Sequence, residues 1–173
     1  MSIPSDQRKV LEAMGIALLL MQNAERVIRL CMTFVLQKQP PLTLDLLQNQ
    51  EESERAKTIG YFLSELRKRA NIEESFDLLL KDFLKNRNDF IHDLSRIPKW
   101  GLRTPERSAT SLQFLHLLIQ QTDEVQKVFV GLVLAWQEQA GLTEPPLPEH
   151  EWFLEVDAAY KPLAFHIFGG DSA

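Results

Sequence analysis

Apolar residues return at three- and four-residue steps through four long stretches of this chain, and before residue 150 they never settle into strict alternation. A period near 3.6 gathers side chains on one face of a helix, whereas a half-buried strand needs a period of two. The chain is therefore expected to be all-α, an up-and-down bundle of four to five helices with a C-terminal appendage. The first helix is anchored by Val10, Leu11, Met14, Leu18, Met21, Ala24, Val27, Ile28 and Cys31 or Met32, with Ser5 as its N-cap and Pro40-Pro41 as its stop. A short turn over 42–50 leads to a second helix over 53–70, with Ile59, Phe62, Leu63 and Leu66 on its stripe. Asn71 and Glu74 form a capping pair for a third helix over 72–94 that Pro98 ends. Thr104-Pro105 starts a fourth, a hydroxyl cap followed by proline at the first helical position, and it runs to residue 139 with Gly141 beyond it.

At 173 residues the chain can bury a large core without a metal or disulfide staple. Its longest apolar run, Ile16 to Met21, is far short of the ~20 residues that span a bilayer. No cationic segment followed by an apolar run and a small-residue cleavage site opens the sequence. With Cys31 as the one cysteine, these features predict a cytoplasmic protein without membrane attachment, and a buried, inert thiol. Two regions are expected: a helical bundle over 1–141, and after the proline cluster at 145–148 an acidic, aromatic extension over 142–173 that packs on the bundle or on a partner. Trp152, Phe153, Tyr160, Phe165 and Phe168 make that extension too apolar for a free tail.

The net charge of −5 conceals a split. Seven acids lie between residues 138 and 173 against the single base Lys161, which leaves the body of the protein close to neutral. Within that body, Arg96, Lys99, Arg103 and Arg107 stand against only Glu106 between residues 95 and 107. Such a loop can meet a phosphate backbone, and the acidic tail cannot.

The sequence contains no glycine-rich phosphate loop, no GxSxG and no HExxH. His116, His150 and His166 are too scattered to suggest a metal site, and His116, among leucines, reads as a core-edge histidine. One anomaly stands out. On the third helix Phe76, Leu80, Phe83, Phe90 and Leu94 share a stripe about 40° to either side of Phe76, and Arg87 falls at about 20° within it. A guanidinium there is expected to face a cavity, an interface or a partner anion, to snorkel out near the helix end, or to pair with an acid on a neighbouring helix. On the geometry of a regular helix His92 lies about 140° from Arg87, so one chain does not easily point both at one phosphate unless the helix bends.

The segment Arg87-Asn88-Asp89-Phe90-Ile91-His92 resembles the signature of the HEPN superfamily, small helical bundles marked by an Arg-x4-6-His motif, often with Asn after the Arg. The wider stretch, with Lys57-Thr58-Ile59-Gly60 early and Lys85-Asn86 just before the motif, is similar as well. Many members of that superfamily are metal-independent endoribonucleases of toxin or phage-defence systems. The resemblance implies catalytic roles for Arg87, His92 and Asn88, RNA as substrate, no cofactor and no metal. It also implies a homodimer in which motifs from two subunits line one cleft, and an antitoxin or defence-system protein as a partner. Histidine exchanges protons near neutrality, and arginine offers a fork of donors to phosphate oxygens. Lys85, Arg96, Lys99 and Arg103 are the candidate RNA-binding residues. In many toxins paired with nucleotidyltransferase antitoxins a tyrosine follows the histidine by two positions; here that position is Leu94, so regulation through such a tyrosine is not implied. The superfamily also contains non-catalytic modules that bind nucleotide, RNA or protein, which is the alternative reading; a third is an unrelated helical interaction protein whose Arg87 is structural.

Overall fold

Long amphipathic stretches without internal proline favour helix, and helix dominates the computed structural model, which describes residues 3–35, 59–70, 72–142 and 150–168. Helix α1 spans Ser5–Leu30 and runs on into a π-helical turn, Cys31–Val35; α2 spans Ile59–Arg69, α3 Glu74–His92 and α4 Pro105–Gln139. A short 3-10 turn, Leu94–Arg96, separates α3 from α4. The chain ends in a helical run made of α5 (Glu151–Glu155), a second π-helical turn (Val156–Tyr160) and α6 (Lys161–Phe168). Among the described residues there is no strand, and no helix is long and apolar enough to cross a membrane. The expected turn over 42–50, the capping role of Asn71, and the part of the second helix before Ile59 lie outside the described residues.

The helix ends follow their local chemistry. The Thr104 hydroxyl accepts the amide of Arg107 at 3.3 Å and its carbonyl takes that of Ser108 at 2.9 Å, so the Thr-Pro signal starts α4 where it was expected. At the far end Gly141 adopts φ +65°, the left-handed conformation that glycine adopts without strain. The Leu142 amide reaches back to the Gln137 carbonyl and the Gly141 amide to that of Glu138, both at 3.1 Å, which completes a Schellman stop. At α1 the first amide-accepting carbonyl is that of Pro4, bonded to the Arg8 amide at 3.0 Å, so the cap position is Pro4, one residue before the expected Ser5, and the helix begins at Ser5.

The buried face of α1 is Val10, Ala13, Ala17, Met21, Ala24 and Ile28. Leu11 and Leu18, expected in the core, are exposed. Two stripes one residue apart both satisfy the helical period, and the alanine-rich one is inside. Small side chains let a helix approach its neighbours closely, an advantage that a hydrophobicity count undervalues.

The chain divides into two compact units. The first comprises residues 1–26 and 74–127. Its core contains Val10, Ala17 and Met21 of α1, Phe76, Leu80, Phe83 and Phe90 of α3, and Leu115, Leu118 and Val125 of α4. The Phe90 and Trp100 rings lie 6.2 Å apart, those of Trp100 and Phe114 6.1 Å, and the Asn86 side-chain amide donates to Gln121 Oε1 at 2.9 Å. Rising positions on α4 therefore meet falling positions on α3, and the two helices run antiparallel. The loop between them is pinned at Gly101, whose amide donates to Ser111 Oγ at 3.0 Å while the same hydroxyl donates to the Gly101 carbonyl at 3.1 Å.

The second unit comprises residues 27–73 and 128–173. Ile28, Cys31, Ile59, Phe62, Leu63, Leu66, Phe129, Val156, Ala164 and Ile167 are buried in it. The C-terminal run packs on the second half of α4: Phe168 against Phe129 with ring centres 5.8 Å apart, and Lys161 bonded to Glu138 at 3.3 Å and to Asp157 at 2.7 Å. The Asp157 hydrogen bond is the main cause that raises the Lys161 pKa above the usual lysine range. The approach is closest at Gly131, where an added Cβ would lie 2.6 Å from the Tyr160 carbonyl oxygen. Gly131→Ala is expected to push the C-terminal run off α4 at a cost of about 1–3 kcal/mol, the usual penalty of overpacking, read as a lower urea midpoint.

Cys31 is fully buried, its Sγ donates to the Phe129 carbonyl at 3.3 Å, and burial pushes its thiol pKa up. The expected outcome is no labelling of the native protein by a thiol reagent at pH 8, with full labelling in denaturant; rapid native labelling would show that this core opens.

Candidate functional site

Arg87 sits on the buried side of α3, where the sequence puts it, and its charge is answered by Glu25 of α1. Arg87 Nε donates to Glu25 Oε1 at 3.0 Å and Nη2 to the same oxygen at 2.8 Å. Each side chain retains 16% of its accessible surface. Of the options open for a guanidinium in an apolar stripe, pairing with an acid on a neighbouring helix is the one realised. Both residues belong to the first compact unit.

The opposite edge of the guanidinium faces the rest of the motif. Arg87 Nη1 donates to Asn88 Oδ1 at 3.0 Å and lies 3.4 Å from His92 Nε2. The roughly 140° between their positions on the helix thus does not keep Arg87 and His92 apart, and the reason is side-chain reach. Asn88 and His92, four residues apart, are one above the other on one face of α3. Arg87 projects from a neighbouring position, and its long side chain carries the guanidinium round to meet them. His92 is also the last residue of α3, and it is exposed.

Because an arginine only donates, a hydrogen bond across this 3.4 Å contact takes His92 Nε2 as its acceptor and leaves the ring proton on Nδ1. Four of the five N–H groups of Arg87 (Nε–H, both on Nη1, one on Nη2) are engaged inside the chain, which leaves one on Nη2. The two-oxygen phosphate fork suggested by the sequence is therefore not free here; the guanidinium is a hub that ties Glu25, Asn88 and His92 together.

Asp89, inside the motif, is buried and accepts Lys85 Nζ at 3.2 Å, with Arg96 Nη1 4.0 Å away. Two of the candidate RNA-binding residues, Lys85 and Arg96, thus flank one carboxylate beside the motif. Arg96 Nε also lies 3.2 Å from Asp93 Oδ2. Lys99 leans to Glu106 at 3.9 Å, and Arg103 is exposed with no bond to the motif among the described residues. Lys99 holds φ +58°, uncommon for a residue with a side chain, so the tip of the basic loop is strained. Acids that the loop sequence does not contain, Asp89 and Asp93, offset part of its positive charge.

The turn after His92 is held by Asp93, whose carboxylate accepts the Ser95 hydroxyl and, at 3.1 Å, the Ser95 amide. The Ser95 hydroxyl, its amide, and then Arg96 hold the Asp93 pKa below the usual carboxylate range. A depressed carboxylate supports the fold above its unfolded pKa and gives that support up as pH falls through its folded one. The expected outcome is a turn that loosens only under acid conditions, seen as loss of amide-exchange protection at Ser95 while core amides stay protected.

Sequence reasoning missed Glu25 and Asp89. Glu25 had a legible signal: it follows Ala24 on the edge of the buried α1 stripe, the same kind of misplaced charge that singled out Arg87, with the opposite sign. His116, read as a core-edge residue, is exposed, and His150 caps α5 by accepting the Trp152 amide on Nδ1 at 3.2 Å. Among the described residues no three His, Cys, Asp or Glu side chains gather as they would around a metal ion. No family model matches the chain, and no curated protein or solved structure does so either.

Proposed function

We propose that this protein is a metal-independent endoribonuclease of HEPN toxin or phage-defence type, acting on RNA in the cytoplasm as a homodimer and held in check by an antitoxin or defence-system partner. The observation that carries the reading is the convergence of Arg87, Asn88 and His92 at one exposed edge of α3. Cleavage by the neighbouring 2′-hydroxyl needs a proton acceptor, a proton donor and a positive group near the phosphorane. When the substrate draws Nε2 away from Arg87 Nη1, the exposed His92 imidazole can take the 2′-hydroxyl proton there and, as imidazolium, pass it to the departing 5′-oxygen. The remaining Nη2–H of Arg87 and the part of its charge that Glu25 does not offset stabilise the phosphorane, while Asn88 keeps the guanidinium edge in place. Lys85, Arg96, Lys99 and Arg103 supply the positive rim that holds the RNA backbone.

The test is RNA cleavage by the full chain with EDTA present, followed by analysis of the product ends. A 2′,3′-cyclic phosphate or its hydrolysis product is expected, at a rate that chelation does not change. A strict magnesium requirement would overturn the mechanism. The second reading, a non-catalytic HEPN module that binds nucleotide, RNA or a protein, is favoured by one observation, the internal engagement of four Arg87 donors. It predicts RNA binding without turnover in the same assay.

A further inference from the structure

Glu25 is the contact in this site that the motif does not contain. Its carboxylate oxygen accepts two hydrogen bonds from the Nε/Nη2 edge of Arg87, at 3.0 and 2.8 Å, and so fixes the plane of the guanidinium from α1. A planar fork held along one edge has its other edge fixed too, and here the other edge is Nη1, which meets Asn88 and His92. Helix α3 alone does not secure this arrangement, because an arginine side chain has many rotamers and the helix supplies no acceptor for Nε. We propose that Glu25 is the positioning residue of this site: through Arg87 it sets the orientation and the tautomer of His92. This rests on the ribonuclease reading only for its effect on turnover; the effect on the His92 ring stands apart from it.

The geometry makes the prediction specific. With Glu25 in place, Arg87 Nη1 is held 3.4 Å from Nε2, and on this proposal it donates there while His92 carries its proton on Nδ1. Without the carboxylate, the guanidinium loses both bonds along its far edge and swings away from the ring. His92 then reverts to the behaviour of a free neutral imidazole, in which the proton favours Nε2. A glutamine at position 25 keeps a carbonyl oxygen that can accept the same two bonds, whereas alanine and leucine keep none.

The experiment is nitrogen NMR of the full chain with labelled histidine, at alkaline pH where imidazole is neutral, with the four histidines distinguished by comparison with His92→Ala. The wild type is expected to show a protonated Nδ1 and an unprotonated Nε2 at His92. Glu25→Gln should keep that pattern, and Glu25→Ala should lose it. Glu25→Leu, which fills the same space, serves if the alanine variant does not fold, and it should lose the pattern too. Loss of the outer partner is further expected to lower kcat for RNA cleavage about 10–100-fold with little change in KM, and Glu25→Gln to restore most of it. A wild-type ring protonated on Nε2, a His92 pattern unchanged in both Glu25→Ala and Glu25→Leu, or full kcat in a cleaving protein without Glu25 would each overturn the proposal. If the wild type cleaves no RNA while the ring pattern follows Glu25, the positioning role stands and the ribonuclease reading falls.

Discussion

Arg87→Ala is expected to destabilise the protein by about 2–4 kcal/mol, because it strips a mostly buried carboxylate of the guanidinium that offsets its charge. On the sequence alone the opposite sign is expected: a cation removed from an apolar stripe relieves a burial cost. The pairing decides the matter. Glu25 and Arg87 are each only 16% exposed in their side chains, so neither can be rehydrated fully where it stands. The same pair replaced together, as Glu25→Leu with Arg87→Met, is expected to be neutral or stabilising, since apolar groups of similar volume bury without a desolvation cost. Urea denaturation of the two single variants and the double variant makes the comparison, and the double-mutant cycle isolates the coupling from the separate packing losses. Single variants as stable as the wild type would mean that water reaches the pair more freely than its burial indicates.

The contrast marks where sequence reasoning reached and where it stopped. Period and punctuation are local properties, so α4 was legible to the residue at both ends, from the Thr104-Pro105 start to the Gly141 stop. Arg87 was legible as an anomaly because one helix wheel exposes a charge among Phe76, Leu80, Phe83 and Phe90. What answers that charge was not, because the angle of α1 against α3 is a tertiary quantity and Glu25 is 62 residues away in the chain. The 140° estimate between Arg87 and His92 failed for a related reason. It measured the directions of the Cα–Cβ bonds, while an arginine head group lies several bonds beyond its own Cβ and can cross that angle. The misplacement of Leu11 and Leu18 on α1, in a stripe whose Val10, Met21, Ala24 and Ile28 are buried as expected, had a third cause: Ala13 and Ala17 gain from close helix approach more than from their own apolar area. A count of large apolar residues favours Leu11 and Leu18 over them.

His92→Ala is expected to lower RNA cleavage by at least ~10²-fold, the usual lower range for loss of a general acid or base. The exposed ring makes this a clean test: its removal opens no core cavity, so unfolding does not account for lost turnover. RNA binding should fall far less than turnover, because the positive rim of Lys85, Arg96, Lys99 and Arg103 is untouched. Arg87→Ala should lower cleavage by a similar factor of at least ~10²-fold, and for two reasons at once: the phosphorane loses its positive group, and His92 loses the donor that fixes its tautomer. Arg87→Lys separates the two, since lysine keeps the charge and the pairing with Glu25 but has no planar fork to span to His92. If charge near the phosphorane dominates, Arg87→Lys recovers most of the lost rate; if positioning dominates, it stays close to Arg87→Ala. The internal engagement of four guanidinium N–H groups favours the second result. Lys99→Ala and Arg103→Ala supply the contrast, with weaker binding whose salt dependence is reduced and turnover of bound RNA largely kept. Cleavage that survives loss of His92 would remove the imidazole from the mechanism, and the hub around Arg87 would then be a structural joint between α1 and the end of α3.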